Sequence, residues 1–520
     1  MDSVARDKLL NGVELHFRTF YESAQEHFPA ALIKLSEGAK VKSLREIADI
    51  KPDLQAAMRN IAGADVGELL KQVNEDSPYP LRRLKKRHLL YRDVPDKLLV
   101  ARENLRRTGY VIMGHAQEAR RYDNHGFEGH VARALMGDRA FYRTSNYMMH
   151  LQQVFDNARA ISHVQAGSLG YETPYDANLE DFTPGVRVST YISMIDQIFE
   201  HALSVRAKAL KAQSKAKAPL PLPEFSLEQG QRLVDLICDL LPIPDKTYQT
   251  RLLARIPSMC MGNIATIKFS TNPLVLLETA FHERLGHLTY RYNASHAGGI
   301  AGFHLDEARA LSLERFFLRE YEVLEQISEL FIAAYDGAHE AFSGENLYRL
   351  THHVNPDISE RTSSDDLTYI LQEIIRGRTE MMVMNGDITV KDMPEFMAAE
   401  TGAAFGLEGL NGYHIMRETF QWPLCMQGHL AAYPTGIVLA AQVHKAAKRK
   451  LGPDFSSLSD GANSPYFNFM ESHIDANGAE IAPEDIIRKA TGRDFLDPGS
   501  YLDSLEAKKM ASTEVVRDAN

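Results

Sequence analysis

The stretch Asn272-Pro273-Leu274-Val275-Leu276-Leu277-Glu278-Thr279-Ala280-Phe281-His282-Glu283-Arg284-Leu285-Gly286-His287 reads as a helix that ends in reactive side chains. Asn272 is a side-chain cap, and Pro273 suits the first turn, where no backbone N–H is needed. The apolar run Leu274 to Leu277 then leads into His-Glu-x-x-x-His. Two neutral imidazoles bind a divalent metal if they converge, and a glutamate beside the first can take a proton from an attacking water. With the four-residue spacing of HExxH, two histidines stand only ~40° apart on an α-helix; with the five-residue spacing here they stand ~140° apart. His282 and His287 can share one metal only if the helix widens locally to π-type geometry, in which five residues make slightly more than one turn. Gly286 makes that distortion easier.

Working outward, Ala297-Gly298-Gly299-Ile300-Ala301-Gly302 is a turn, and a new helical pattern starts near Phe303. It presents Asp306, Glu307 and, two turns further on, Glu314. A helix-turn-helix pair of this length returns a carboxylate to the two histidines. Glu307 is the expected third ligand, with Asp306 as second choice, and a coordination position stays open for water. Glu283 is the expected general base. Two imidazoles and one carboxylate suit a single zinc ion per chain.

Through most of the chain apolar residues recur at steps of three and four, and alternating strand-like runs are scarce, so the fold class is mainly α with little β structure. Residues 1–75 read as an N-terminal helical region belonging to the same fold, and 76–520 as the helical hydrolase domain. Asp76-Ser77-Pro78-Tyr79-Pro80 is the break between them. The basic cluster Arg82-Arg83-Leu84-Lys85-Lys86-Arg87 reads as a solvated helix face. A Lys/Ala/Pro-rich surface loop is expected near 206–223, after which Ser226 and Gln229 form a capping box for the next helix.

The chain has 520 residues, 44% hydrophobic and 24% charged, which is globular composition and excludes a disordered protein. Its net charge of −11 opposes nucleic-acid binding. Cys238, Cys260 and Cys425 form no CxxC pair, so a reducing cytoplasm is the expected compartment. The opening Met1-Asp2-Ser3-Val4-Ala5-Arg6-Asp7-Lys8 lacks the apolar core of a signal peptide, and no run approaches a membrane span, so no membrane partner is expected.

Beyond the metal motif, Asp365-Asp366-Leu367-Thr368-Tyr369 through Asn385-Gly386-Asp387-Ile388-Thr389-Val390-Lys391-Asp392-Met393-Pro394 is similar to the A-D-E-L-T-Y and G-x-x-x-V-x-D-L-P segments of one family. Pro174-Tyr175-Asp176-Ala177, Phe182-Thr183-Pro184-Gly185, Glu307 to Glu314, Tyr433-Pro434-Thr435 and Ala440-Ala441-Gln442 add to the match. The chain resembles the thermostable carboxypeptidase Taq family of metallocarboxypeptidases over roughly residues 80 to 450. The resemblance implies a single large helical fold with a deep central groove, commonly a homodimer, that removes C-terminal residues from peptides. It puts the metal ligands on His282, His287 and Glu307, the base on Glu283, and the arginine thought to hold a substrate's terminal carboxylate on Arg361.

The chain departs from that family in the extra residue of its metal motif, a spacing that resembles dipeptidyl peptidase III and tubulin tyrosine carboxypeptidase-like proteins. Family segments expected near Cys260 to Thr266 are not intact, and Glu418-Thr419-Phe420-Gln421-Trp422 lacks the histidine before the tryptophan. Tyr433, His429 and His414 are candidates for a second oxyanion donor or substrate contact. Two other readings are a hydrolase of a non-peptide amide such as an N-acyl amino acid, and an inactive homologue that only binds in the groove. A nucleic-acid partner for Arg82 to Arg87 is the weakest reading, because aromatic interleaving is absent.

Overall fold

In the computed structural model, the described residues are 71–514 apart from 72, 76, 78, 107, 110–125, 215–217, 254–257, 355–364, 418 and 459–463; over 126–146 and 508–514 only the backbone is described. The N-terminal region expected over 1–75 lies almost wholly outside them, as does Arg361. The chain runs through α1 (Tyr79–Arg92), α2 (Gly126–Leu169), α3 (Pro174–Phe182), α4 (Val188–Gln213) and α5 (Leu227–Leu240) into a small sheet. The sheet comprises β1 (Gln249–Leu253), β2 (Met259–Met261) and β3 (Ile264–Lys268) in the order β1-β3-β2. β1 pairs parallel with β3, Gln249 opposite Ile264, and β2 pairs antiparallel, Met259 opposite Thr266.

After the sheet come α6 (Pro273–Ala280), a π-helical turn (Phe281–Leu288), α7 (Thr289–Ala294), α8 (Phe303–Leu311) and a second π turn (Ser312–Phe316). The rest is helical: α9 (Tyr321–Tyr335), α10 (Gly344–Thr351), α11 (Asp366–Asn385), α12 (Met393–Phe405), α13 (Gly412–Arg417), α14 (Ala432–Leu451), α15 (Pro465–His473), α16 (Pro483–Thr491) and α17 (Gly499–Glu514). The mainly α expectation holds, and among the described residues no helix is long and apolar enough to cross a membrane.

Several starts follow the local rules. Ser226 and Gln229 close a capping box on α5, and Thr173 with Asp176 does the same on α3. Asn272 accepts from the Leu274 N–H, with Pro273 in the first turn of α6. The loop expected near 206–223 begins later than the sequence suggests, because α4 continues to Gln213. Ala, Leu and Lys sustain a helix until proline arrives, and tertiary bonds secure the last turn: the Gln213 side chain donates to Val354 O and accepts from Val354 N, both at 2.9 Å. The basic cluster on α1 is also not a free face. Arg83 donates to Ile300 O at 3.0 Å, Lys85 to Val73 O at 2.6 Å, and Lys86 pairs with Glu180 at 3.2 Å.

The core wraps α14, whose residues 432–444 are all buried. α14 packs along α8, and Gly436 makes their approach possible: a Cβ there would stand 2.7 Å from Glu307 Cβ. Trp422 is fully buried edge-on to Phe155, and Phe317 stacks on Tyr466 with ring centroids 4.4 Å apart. β2 and β3 cover the far side of the first π turn, joining Cys260, Ala265 and Leu288 in a small apolar cluster.

Candidate metal centre and active site

The π turn spans Phe281–Leu288 and contains the whole His-Glu-x-x-x-His motif, as the five-residue spacing requires. Gly286 does more than ease the widening. A Cβ there would lie 2.6 Å from Ala310 Cα and 2.7 Å from Ala310 Cβ, so glycine lets α8 come into backbone contact with the turn. That contact brings Glu307 to the histidines. One donor atom each from His282, His287 and Glu307 lie within 4.8 Å of one another, a group that could hold a metal ion.

The individual separations test the fit. His282 Nε2 and His287 Nε2 are 3.0 Å apart, His282 Nε2 is 3.7 Å from Glu307 Oε2, and His287 Nε2 is 3.8 Å from Glu307 Oε1. Ligands at ~2.1 Å from a tetrahedral zinc stand about 3.4 Å apart, so the observed edges straddle that value. The donor set fits a single small divalent ion.

Both imidazoles are oriented from behind. His282 Nδ1 is 2.7 Å from Glu314 Oε2, and His287 Nδ1 is 2.7 Å from Asp306 Oδ1, which leaves both Nε2 atoms facing the cluster. Asp306, second choice for third ligand, is therefore an anchor for His287, turned about 100° from Glu307 on α8. Arg291 holds Asp306 at 2.6 Å. Arg315 holds Glu314 at 2.7 Å and reaches Asp366 at 3.4 Å, and Arg319 ties Asp366 (2.8 Å) to Glu278 (2.9 Å). This ion-pair chain links His282 to the first turn of α11.

Burial and these charges set the protonation states. Burial works against a charge on His282, but Glu314, with Glu307 and Glu283, prevails and lifts it to about 9. Burial dominates at His287, which falls to about 4 despite Asp306. The proton therefore sits on His282, whose Nε2–H faces His287 Nε2 across the 3.0 Å gap. Burial also raises Glu283 to about 7, against the pull of His282 and Arg291, and its Oε2 is buried without a hydrogen-bond partner among the described residues. At Glu314 and Asp306 burial is outweighed by neighbouring cations, so Glu314 falls to about 2 and Asp306 also stays ionised.

His429 and Tyr433 come together, with ring centroids 5.5 Å apart, and His429 also packs edge-on to Phe182 and Phe303. Phe303 stands one helical turn before Glu307, so this aromatic group borders α8 on the ligand side. Tyr433 Oη accepts from Gln421 Nε2 at 2.9 Å. The backbone of His414 lies in α13, while its side chain is outside the described residues.

Sequence reasoning missed Glu380, a buried carboxylate that accepts from Tyr175 (2.7 Å), Trp422 (2.9 Å) and the Gly428 N–H (2.6 Å), fixing the turn that carries His429. Its neighbours are far apart in sequence, and no spacing rule connects them. The arginines Arg291, Arg309 and Arg315 were also missed. Their only signal was the presence of long cations within otherwise apolar helical runs.

A sequence profile described as carboxypeptidase Taq (M32) metallopeptidase matches residues 139–509. The chain belongs to this family. The M32 chain is 23% identical to thermostable carboxypeptidase 1 of Pyrococcus furiosus over 364 residues, covering 65% of this chain and 70% of that protein. Its fold is similar to that of Trypanosoma cruzi metallocarboxypeptidase 1 (TM-score 0.75, 18% identity, 96% and 99% of the two chains covered). It is also similar to the M32 carboxypeptidase of Deinococcus radiodurans R1 (TM-score 0.75, 17% identity, 98% and 100% covered). The M32 chain is thus a metal-dependent hydrolase of the carboxypeptidase class, and its metal motif carries one residue more than HExxH.

Proposed function

We propose that this chain removes C-terminal residues from peptides, with His282, His287 and Glu307 holding one divalent metal, zinc in our reading, and Glu283 as general base. The observation that carries the assignment is the convergence of three donors with Nε2 atoms 3.0 Å apart across a π turn. An ion held there would supply Lewis-acid chemistry, withdrawing charge from a carbonyl oxygen and lowering the pKa of a water. Glu283, held half-ready to accept a proton by burial, takes that proton and passes it to the leaving amine. Asp306 and Glu314 keep both imidazoles in the tautomer that leaves Nε2 free to coordinate. His429 and Tyr433 are the candidate donors to the developing oxyanion, supported by their position beside α8.

Arg361, just ahead of the Asp365 cap of α11, is the proposed clamp for the terminal carboxylate, because a guanidinium matches a carboxylate in two prongs. A homodimer is part of the same proposal and rests on the family resemblance. A cytoplasmic setting is supported by three unpaired cysteines. The complete donor set counts against a metal-free binding homologue.

The test combines metal analysis of the purified chain with hydrolysis of paired substrates ending in a free acid or an amide. Glu283→Gln should keep the metal and lower turnover at least ~100-fold. Arg361→Ala should weaken kcat/KM for the acid by about 2–4 kcal/mol and barely touch the amide. Near-normal turnover in Glu283→Gln would move the base elsewhere, and equal losses on acid and amide would reject the clamp.

A further inference from the structure

Passing from π back to α geometry creates a local problem in backbone bonding. In an α-helix the Leu285 carbonyl would accept from the N–H of residue 289. Here the Thr289 N–H turns to Gly286 O instead, and the Leu285 carbonyl lies at the junction of the two geometries in a place with no access to water. A buried carbonyl has to be satisfied within the protein, and a donor from another helix ties the turn to that helix. The donor it receives is Nη1 of Arg309, on α8 two residues beyond Glu307.

The rest of the Arg309 guanidinium is held by Asp475. Its Nε and Nη2 face Asp475 at 3.4 and 3.3 Å, and the side chains of both residues have zero exposure. Asp475 also accepts from Asn293 Nδ2 at 2.9 Å, on the helix that continues directly from the π turn. A fully desolvated ion pair is seldom the most stable way to fill a core, since apolar residues of similar volume often do as well or better. Its presence here therefore points to the position it fixes. The neighbouring residue Ala310 is the one in backbone contact with Gly286, so the clamp sits where α8 meets the turn.

We propose that Arg309, locked by Asp475, is the positioning residue that keeps the π turn open at the spacing His282 and His287 need to share a metal; this rests on their reading as ligands. It acts through the Leu285 carbonyl and touches neither metal nor substrate. The guanidinium secures the turn from α8 while Asp475 secures the helix that follows, so one buried pair fixes the histidine spacing and the approach of Glu307 together.

The test uses the full chain. In Arg309→Met, which keeps the stem and removes the donors, amide hydrogen exchange over 285–290 of metal-free protein should speed up at least tenfold. Zinc affinity measured by chelator competition should fall at least tenfold, the visible spectrum of the cobalt-loaded protein should change, and kcat should fall more than KM rises. Asp475→Asn should move the same readouts in the same direction by less. Val234→Ala, a cavity in the buried face of α5, should lower the melting temperature and leave zinc affinity and the exchange of 285–290 unchanged. Wild-type zinc affinity and exchange in Arg309→Met would overturn the proposal; if that variant does not fold, unchanged values in Asp475→Asn would overturn it equally. Wild-type protein that binds no zinc would break the metal reading, and amide exchange would then judge the clamp alone.

Discussion

The π turn Phe281–Leu288 and the helix α8, Phe303–Leu311, supply two sides of one site, yet they are specified in opposite ways. α8 is a regular helix of buried residues that needs only to be carried into place, with Glu307 on the face that meets the histidines. The π turn departs from the geometry its own residues would adopt alone, and elements from elsewhere hold it there. Arg309 meets Leu285 O and Gly286 lies against Ala310, while inside the segment the Thr289 hydroxyl donates to Arg284 O at 3.1 Å. A ligand on an ordinary helix depends on one packing contact, whereas a pair of ligands on a widened turn depends on several.

Removing the donors themselves gives the largest effect. His287→Ala, or His282→Ala with it, should abolish stoichiometric zinc and bring peptide hydrolysis to background, read by metal analysis and a turnover assay. Full zinc in the double variant would mean that α8 binds metal without the π turn, which would break the comparison.

Gly286→Ala tests the seam between the two elements. A methyl group placed 2.6 Å from Ala310 Cα forces α8 away from the turn, so stability should drop by about 1–3 kcal/mol and zinc affinity should fall with it. A urea titration of metal-free protein beside a chelator competition separates the two losses. Stability loss with undiminished affinity would mean that the close approach serves packing alone.

The anchors should differ less. Asp306→Asn and Glu314→Gln each release one imidazole, and each should weaken zinc binding about 10–100-fold, measured by competition with a coloured chelator. Asp306→Asn should cost more, because it also takes the carboxylate from half-buried Arg291, whereas Arg315 keeps Asp366 when Glu314 is changed. The reverse order would move the weight of the site to the Glu314–Arg315–Asp366 chain.

The smallest effect concerns α8 alone. Burial keeps His304 neutral down to about 3, against 6.5 in an exposed histidine. The unfolded chain then binds more protons throughout that window, so this contribution to stability is complete above about 6.5 and is lost as pH falls toward 3. At pH 5 the loss is about 2 kcal/mol. His304→Phe should reduce the drop in stability of metal-free protein between pH 7 and 5 by that amount, measured by denaturant titration at both values. An unchanged drop would show that His304 takes up its proton in the folded state.

Much of this site was legible in the sequence because its chemistry depends on residue type and spacing. Histidines five positions apart cannot converge on an α-helix, so the π turn followed from 100° per residue, and the Asn272-Pro273 start and the Ser226–Gln229 box followed from orphan N–H groups at helix ends. Spacing put Glu307 first and Asp306 second to face the histidines, and in the fold a Glu307 oxygen joins the donor group while Asp306 stands behind His287. Other features were decided only by tertiary structure. That Asp306 would serve His287 and Glu314 would serve His282, that Gly286 would matter for its missing Cβ, and that Asp475 would meet Arg309 across 166 residues all depend on how helices pack. Local sequence sets the capping and the periodicity because those bonds close within one or two turns. It does not encode which distant donor will reach the Leu285 carbonyl, because that donor is in place only after the chain has folded around it.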